Sequence, residues 1–215
     1  MQIRNSSMMM LAALLVILTG CQSAYYATME QFGIEKRHLL RDNVAKAQGE
    51  QQQASEEFKD VLTRIKEMYG FDGGKLEKAY KGLKSQYETC EDRAETVRKR
   101  IADVEEIAAD LFKEWDEEIN QMANADLKAK SRNSLLQTKR RYARLAETMR
   151  GAEARLEPVL VQVRDYVLYL KHHLNAQAIG ALNKEADSIE IEVSSLIEEM
   201  NASIREAETF LKEFE

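Results

Sequence analysis

Apolar residues recur along this chain at alternating steps of four and three, and a stripe with that period can be hidden from water only against other helices. Four such stripes can be traced. The first runs through Leu40, Val44, Ala47, Gln51, Ala54, Phe58, Val61, Ile65 and Met68. The second starts at Leu76 and passes Tyr80, Leu83, Tyr87, Cys90 and Ala94 to Ala108, Leu111 and Trp115. The third runs from Leu135 and Thr138 through Tyr142, Met149 and Leu156 to Tyr166, Leu170 and His173. The fourth joins Ile179 and Leu182 to Phe210 and Phe214. The fold class is therefore all-α: an elongated antiparallel bundle or coiled coil of about four long helices, expected over residues 25–69, 75–122, 126–173 and 177–214. The periodicity leaves open whether one chain satisfies these seams or a second copy joins them.

Composition agrees with the periodicity. Ala, Glu, Lys, Leu and Arg dominate, and the chain has a single proline, as long helices require. That proline, Pro158, falls inside the third stripe without changing its phase, which predicts one continuous, kinked helix rather than two. The connections are short, so successive helices should be antiparallel neighbours. Gly70-Phe71-Asp72-Gly73-Gly74 supplies a glycine stop and a tight reversal. Asn124 or Asp126 can cap the third helix, and His173-Leu174-Asn175-Ala176 makes the last junction. Charge suggests how the second and third helices pair. Asp103 to Glu118 holds eight acids and one base, whereas Lys128 to Arg144 holds seven bases and no acid. Folding at residues 123–126 is expected to lay these stretches opposite each other, an arrangement that selects register more than it adds stability.

The N-terminus carries a different signal. Arg4 precedes an apolar run, Met8 to Leu18, whose 11 residues suit the core of an export signal and are too few to span a bilayer. The run ends in Leu18-Thr19-Gly20-Cys21, a close match to the lipobox of bacterial lipoproteins, in which the cysteine becomes the lipid-bearing first residue. Residues 1–20 are thus expected to be a signal peptide, and residues 21–215 one exported helical domain anchored through Cys21. Several acyl chains hold where one is marginal, since each buried methylene contributes about 0.8 kcal/mol. Gln22, rather than Asp, follows the cysteine; by resemblance to the sorting habit of enteric-type lipoproteins, that favours the outer membrane, facing the periplasm. The segment takes Arg4 with it and leaves 30 Lys and Arg against 37 Asp and Glu, a net charge of −7. A mildly acidic body argues against a general nucleic-acid binder.

Motifs that would carry catalysis fail on inspection. Gly70 to Leu76 has the Gly-Lys pair of a phosphate loop, but Tyr69 stands where its first glycine belongs and Leu76 where a magnesium-holding Ser or Thr belongs. Glu35 and His38 have the Glu-x-x-His spacing of di-iron bundles, but His172 and His173 are preceded by Tyr169 and Leu170, so no second motif exists. With Cys21 committed to the anchor, Cys90 has no disulfide partner, and its seam position makes it a core residue. No cofactor, metal or catalytic group is therefore assigned, and the chain is not read as an enzyme.

The stretches Cys21 to Tyr26, Phe71 to Gly74, Leu111 to Trp115, Glu157 to Leu160 and Val167 to Ala176 resemble an uncharacterised, all-helical family of Gram-negative bacterial lipoproteins over essentially the whole mature chain. The resemblance implies a domain of unknown function and transfers no catalytic residue. Some members carry an automatic label of DNA repair ATPase, which the export signal and the failed phosphate loop contradict. The expectation is a lipid-anchored envelope protein, structural or binding in character. Its two tip turns would bring Phe71, Asp72, Gly73, His172, His173 and Asn175 together before an envelope protein or cell-wall component. The rival reading is a metal- or ligand-binding protein or enzyme that uses those same tip residues.

Overall fold

The computed structural model of the protein describes residues 36–68, 76–173 and 182–214. Four helices make up those residues: α1 (Lys36–Glu67), α2 (Leu76–Gln121), α3 (Ala125–His172) and α4 (Asn183–Glu213). The chain is an all-α bundle, with no strand among the described residues. α1 packs on α2, α2 on α3, α3 on α4 and α4 back on α1, so every helix has two neighbours around a shared core. The seams are satisfied within one chain. Every stripe residue read for α1 is buried, and so is every described stripe residue of α4 from Leu182 to Phe214.

Pro158 lies inside an unbroken α3 of 48 residues, as the unbroken apolar phase requires. Its side is exposed, and the seam continues past it through Val159 and Val163. Its ring still removes one backbone hydrogen bond from the helix. The turn between α2 and α3 is set by Asn124, whose side-chain oxygen accepts from the backbone N–H of Asp126 and of Leu127, each at 3.0 Å. Asp126 sits in the first turn, where a carboxylate favours the positive end of the helix dipole.

Two expectations need correction. The second stripe does not continue through Leu111 and Trp115; Phe112 and Ile119 enter the core, and Leu111 and Trp115 pack half-buried on its flank. A straight helix at 3.6 residues per turn drifts by about 20° per heptad against a 3.5 repeat, and here the drift is absorbed by two consecutive steps of four, Val104 to Ala108 to Phe112. The charge blocks of α2 and α3 do not zip together either. Arg141 and Arg144 turn to Glu213 and Glu206 on α4, at 3.0 and 3.3 Å, and Glu114 meets Lys36 on α1 at 2.6 Å. The α2–α3 ion pairs are Arg98–Glu157 and Glu105–Arg150, and of these residues only Glu105 belongs to either block. A helix in a ring of four has a neighbour on each side, so its charges can answer either flank.

Replacing Pro158 with Ala should raise the unfolding free energy by about 1–3 kcal/mol, because it restores a hydrogen bond in a solvent-facing turn of a continuous helix. Urea unfolding followed by circular dichroism checks this; a loss of stability would mean that proline at this site is preferred.

Candidate functional site

The antiparallel order carries the end of α1, the start of α2, the end of α3 and the start of α4 to one end of the bundle. Lys66, in the last turn of α1, pairs with Glu190 of α4 at 2.6 Å across that end. Of the expected tip residues, His172 and His173 are described, and both are exposed on the final turn of α3. Phe71, Asp72, Gly73, Asn175 and Cys21 lie outside the described residues.

His173 is not a seam residue, contrary to the sequence expectation. It is the C-cap of α3: its backbone N–H donates to Leu170 O at 3.1 Å, and its Nδ1 lies 3.0 Å from Tyr169 O. Its ring stacks on Tyr169 with centroids 4.3 Å apart and planes 11° from parallel. The helix ends here, so the next apolar position is never presented to a partner helix. Instead a ring pair faces solvent, flanked by Leu168, half of whose surface is exposed.

Beside this pair an open groove of about 520 Å³ runs between α3 and α4. Asp165, Tyr166, Tyr169, Glu185 and Ile189 line it, and Gln162 Oε1, buried and without a hydrogen-bond partner among the described residues, belongs to the same wall. Two carboxylates and two phenol rings, with no cation among the described lining residues, make the wall suited to a positively charged or hydrogen-bond-donating group. Sequence reasoning missed Asp165, Tyr169 and Glu185. A signal existed for the first two: Asp165 stands two helical turns before His172 and Tyr169 one turn before His173, on the same side of α3.

The remaining chemistry-bearing residues do not converge. His38 stands on the first turn of α1, at the opposite end of the bundle from His172 and His173, and Glu35 lies outside the described residues. Among the described residues no three His, Cys, Asp or Glu side chains are placed to hold a metal ion. Cys90 is buried in the seam, and burial, reinforced by Glu57 and Asp60, pushes its thiol well above the ordinary range. Tyr87 is pushed up to about 12 by burial and by its hydrogen bond to Glu91, 3.0 Å long. Tyr142 is pushed up to about 12 by burial and by Glu105. The interior thus keeps its acids protonated rather than offering a nucleophile or base. No helix among the described residues is long and apolar enough to cross a membrane.

Over residues 25–214 the chain matches the model of a family described as protein of unknown function (DUF2959). No curated protein and no solved structure matches it.

Two outcomes follow from these environments. In the Cys21→Ser chain, Cys90 should react with a thiol reagent at a rate set by unfolding, so that denaturant accelerates it by orders of magnitude; fast reaction in buffer would contradict a seam thiol. Tyr142 Oη is buried without a partner, so Tyr142→Phe should stabilise by about 0.5–2 kcal/mol. The raised phenol values also fix an alkaline trend. The stabilising difference is complete below pH 10, where both states hold the proton, and is lost as pH rises to about 12, because the unfolded chain ionises first. Denaturation series between pH 9 and 12 should show a shallower decline for Tyr142→Phe.

Proposed function

The chain belongs to the DUF2959 family of proteins of unknown function, and for it we propose the role of a lipid-anchored helical rod of the bacterial envelope, held in the outer membrane through Cys21 and facing the periplasm. The observation that carries this reading is Leu18-Thr19-Gly20-Cys21 at the end of an 11-residue apolar run. Lipid on Cys21 would supply the membrane attachment that the described helices, too polar to span, do not.

Its action is binding rather than catalysis. One end is tethered, the shaft is stiffened by four mutually buried seams, and the end bearing His172 and His173 meets a protein or cell-wall partner of the envelope. Support for that end comes from the exposed stacked pair Tyr169–His173 and from the carboxylate- and phenol-lined groove beside it; Phe71, Asp72, Gly73 and Asn175 are assigned to the same end from the sequence alone.

In cells fed labelled palmitate, the chain should take up label and fractionate with the outer membrane, and Cys21→Ser should abolish both; an unlabelled chain among cytosolic proteins would end this reading. For the tip, a specific cross-linked adduct formed in intact cells should weaken severalfold in an Asp72→Asn/His173→Ala chain that keeps its helix content. An adduct of undiminished yield would place recognition elsewhere.

A further inference from the structure

On α3, Gln162, Asp165, Tyr166 and Tyr169 follow one another at steps of three, one and three, which sets them on a single strip of the helix. Leu182, the N-cap of α4, makes a matching strip with Glu185 and Ile189, and the two strips are the walls of the groove beside His173. Tyr166, Leu182 and Ile189 give the groove ring and hydrocarbon surface, while Asp165 and Glu185 set one carboxylate on each wall. Along the shaft, carboxylates between helices are answered by cations, as Glu105 is by Arg150 and Glu192 by Arg155. The groove differs. Among the described residues Glu185 has no ion pair, and Asp165 has its chain neighbour Arg164 alone, at 3.6 Å with side chains 47% and 67% exposed. A pair that open contributes little and exchanges readily for another cation. Residues 174–181, which separate the two helices in sequence, contain no Lys or Arg. Gln162 Oε1 is a third acceptor, buried and without a partner among the described residues, and such an atom is favourable only once a donor reaches it.

We propose that this groove receives a lysine or arginine side chain from an extended basic segment of a protein partner. The inference rests on the reading of this end as the binding end, and names what binds there. Charge complementarity commits the site to this occupant. A long basic side chain has a hydrocarbon stem and a cationic head, the same division that the groove shows between its apolar residues and its two carboxylates. Tyr169, stacked on His173 with centroids 4.3 Å apart, adds a ring whose electron-rich face attracts a cation. A cell-wall peptide fits less well. Its amines come with carboxylates of their own, and no cation among the described lining residues answers them. The excess of acids over bases in the whole chain adds a long-range attraction that draws a basic segment in and repels an anionic one.

The test uses the full Cys21→Ser chain in detergent and tetralysine blocked at both ends as the probe. Tetralysine should bind, and its fully acetylated counterpart should not. Asp165→Asn/Glu185→Gln should weaken binding about fivefold or more, the sum of two exposed charge contacts. Asp187→Asn/Glu198→Gln removes the same charge from α4 outside the groove and should weaken it by less than about twofold. Equal losses in the two double variants overturn the proposal, because the peptide is then held by the bulk charge of the chain. The parent chain gives an independent reading if a variant loses helix content: tetralysine should shift the methyl resonance of Ile189 and leave that of Ile119, at the far end of the bundle, in place. A shift pattern without Ile189 overturns the proposal, and so does a disaccharide-tetrapeptide of the cell wall that displaces tetralysine at equal or lower concentration. Failure here is separable from failure of the binding-end reading. No tetralysine binding, together with loss of the cellular adduct in the Asp72→Asn/His173→Ala chain, refutes the basic segment and leaves the binding end where it is.

Discussion

Excluding water from a stripe that repeats every three and a half residues forces each helix to show one narrow face to a common axis, and the rest of this molecule follows from that requirement. A narrow stripe cannot be hidden by one neighbour alone over 31 to 48 residues. Two neighbours and a central core can hide it, which is the ring α1–α2–α3–α4. The core is strong enough in sum to carry poor members. Gln51 and Ser203 are essentially fully buried on α1 and α4, and Gln51 Nε2 and Ser203 Oγ have no hydrogen-bond partner among the described residues. Each such group costs about 1–3 kcal/mol. Dozens of buried aliphatic and aromatic neighbours offset it.

The ring also has to end, and the two ends are built differently. Where α1 and α4 stop, aromatic rings cross between the helices. Phe112 of α2 meets Tyr142 of α3 at 5.4 Å, Tyr142 meets Phe210 of α4 at 6.2 Å, and Phe210 stacks on Phe214 at 4.8 Å. Arg37 of α1 completes the chain, with its guanidinium 5.0 Å from the Phe214 ring and its Nη2 donating to Phe214 O at 2.6 Å. That hydrogen bond answers a carbonyl that the end of α4 leaves unpaired. Large flat side chains do here what a fifth helix would otherwise do: they cap the core at the level where four helices become two.

Most of this was legible because period and burial are the same fact read twice. A buried helix must repeat its apolar residues, so Leu40 to Met68 and Leu182 to Phe214 could be assigned to the core residue by residue. Phe112 and Ile119 escaped because Leu111 and Trp115 offered equally apolar residues one step away, and a pattern cannot say at which turn a drifting helix corrects its phase. The charges misled for a geometric reason. Complementary blocks on α2 and α3 specify attraction but not direction, and Arg141 and Arg144 found carboxylates on the other flank. The tip was half legible. Antiparallel order alone brings the two helix ends to one end of the bundle, but the groove between α3 and α4 beside His173 depends on how those helices pack, which no periodicity encodes.

What the seams occupy, they also withhold from chemistry. A bundle that fills its axis with Leu, Val, Ala and Phe, and that keeps Cys90, Tyr87 and Tyr142 protonated, has little room there for a reacting molecule. Its flanks are lined with exposed ion pairs such as Lys59–Glu56 and Lys81–Glu77, each worth little and each readily exchanged for water. Specific recognition needs apolar or aromatic surface with polar groups fixed beside it. Among the described residues both ends of the bundle offer that combination, since there the seam runs out of partners. At one end Leu111 and Trp115 pack half-buried on the flank of the core beside a groove. At the other, Tyr169 and His173 stack in the open above two carboxylates. The shaft sets the distance between these two ends.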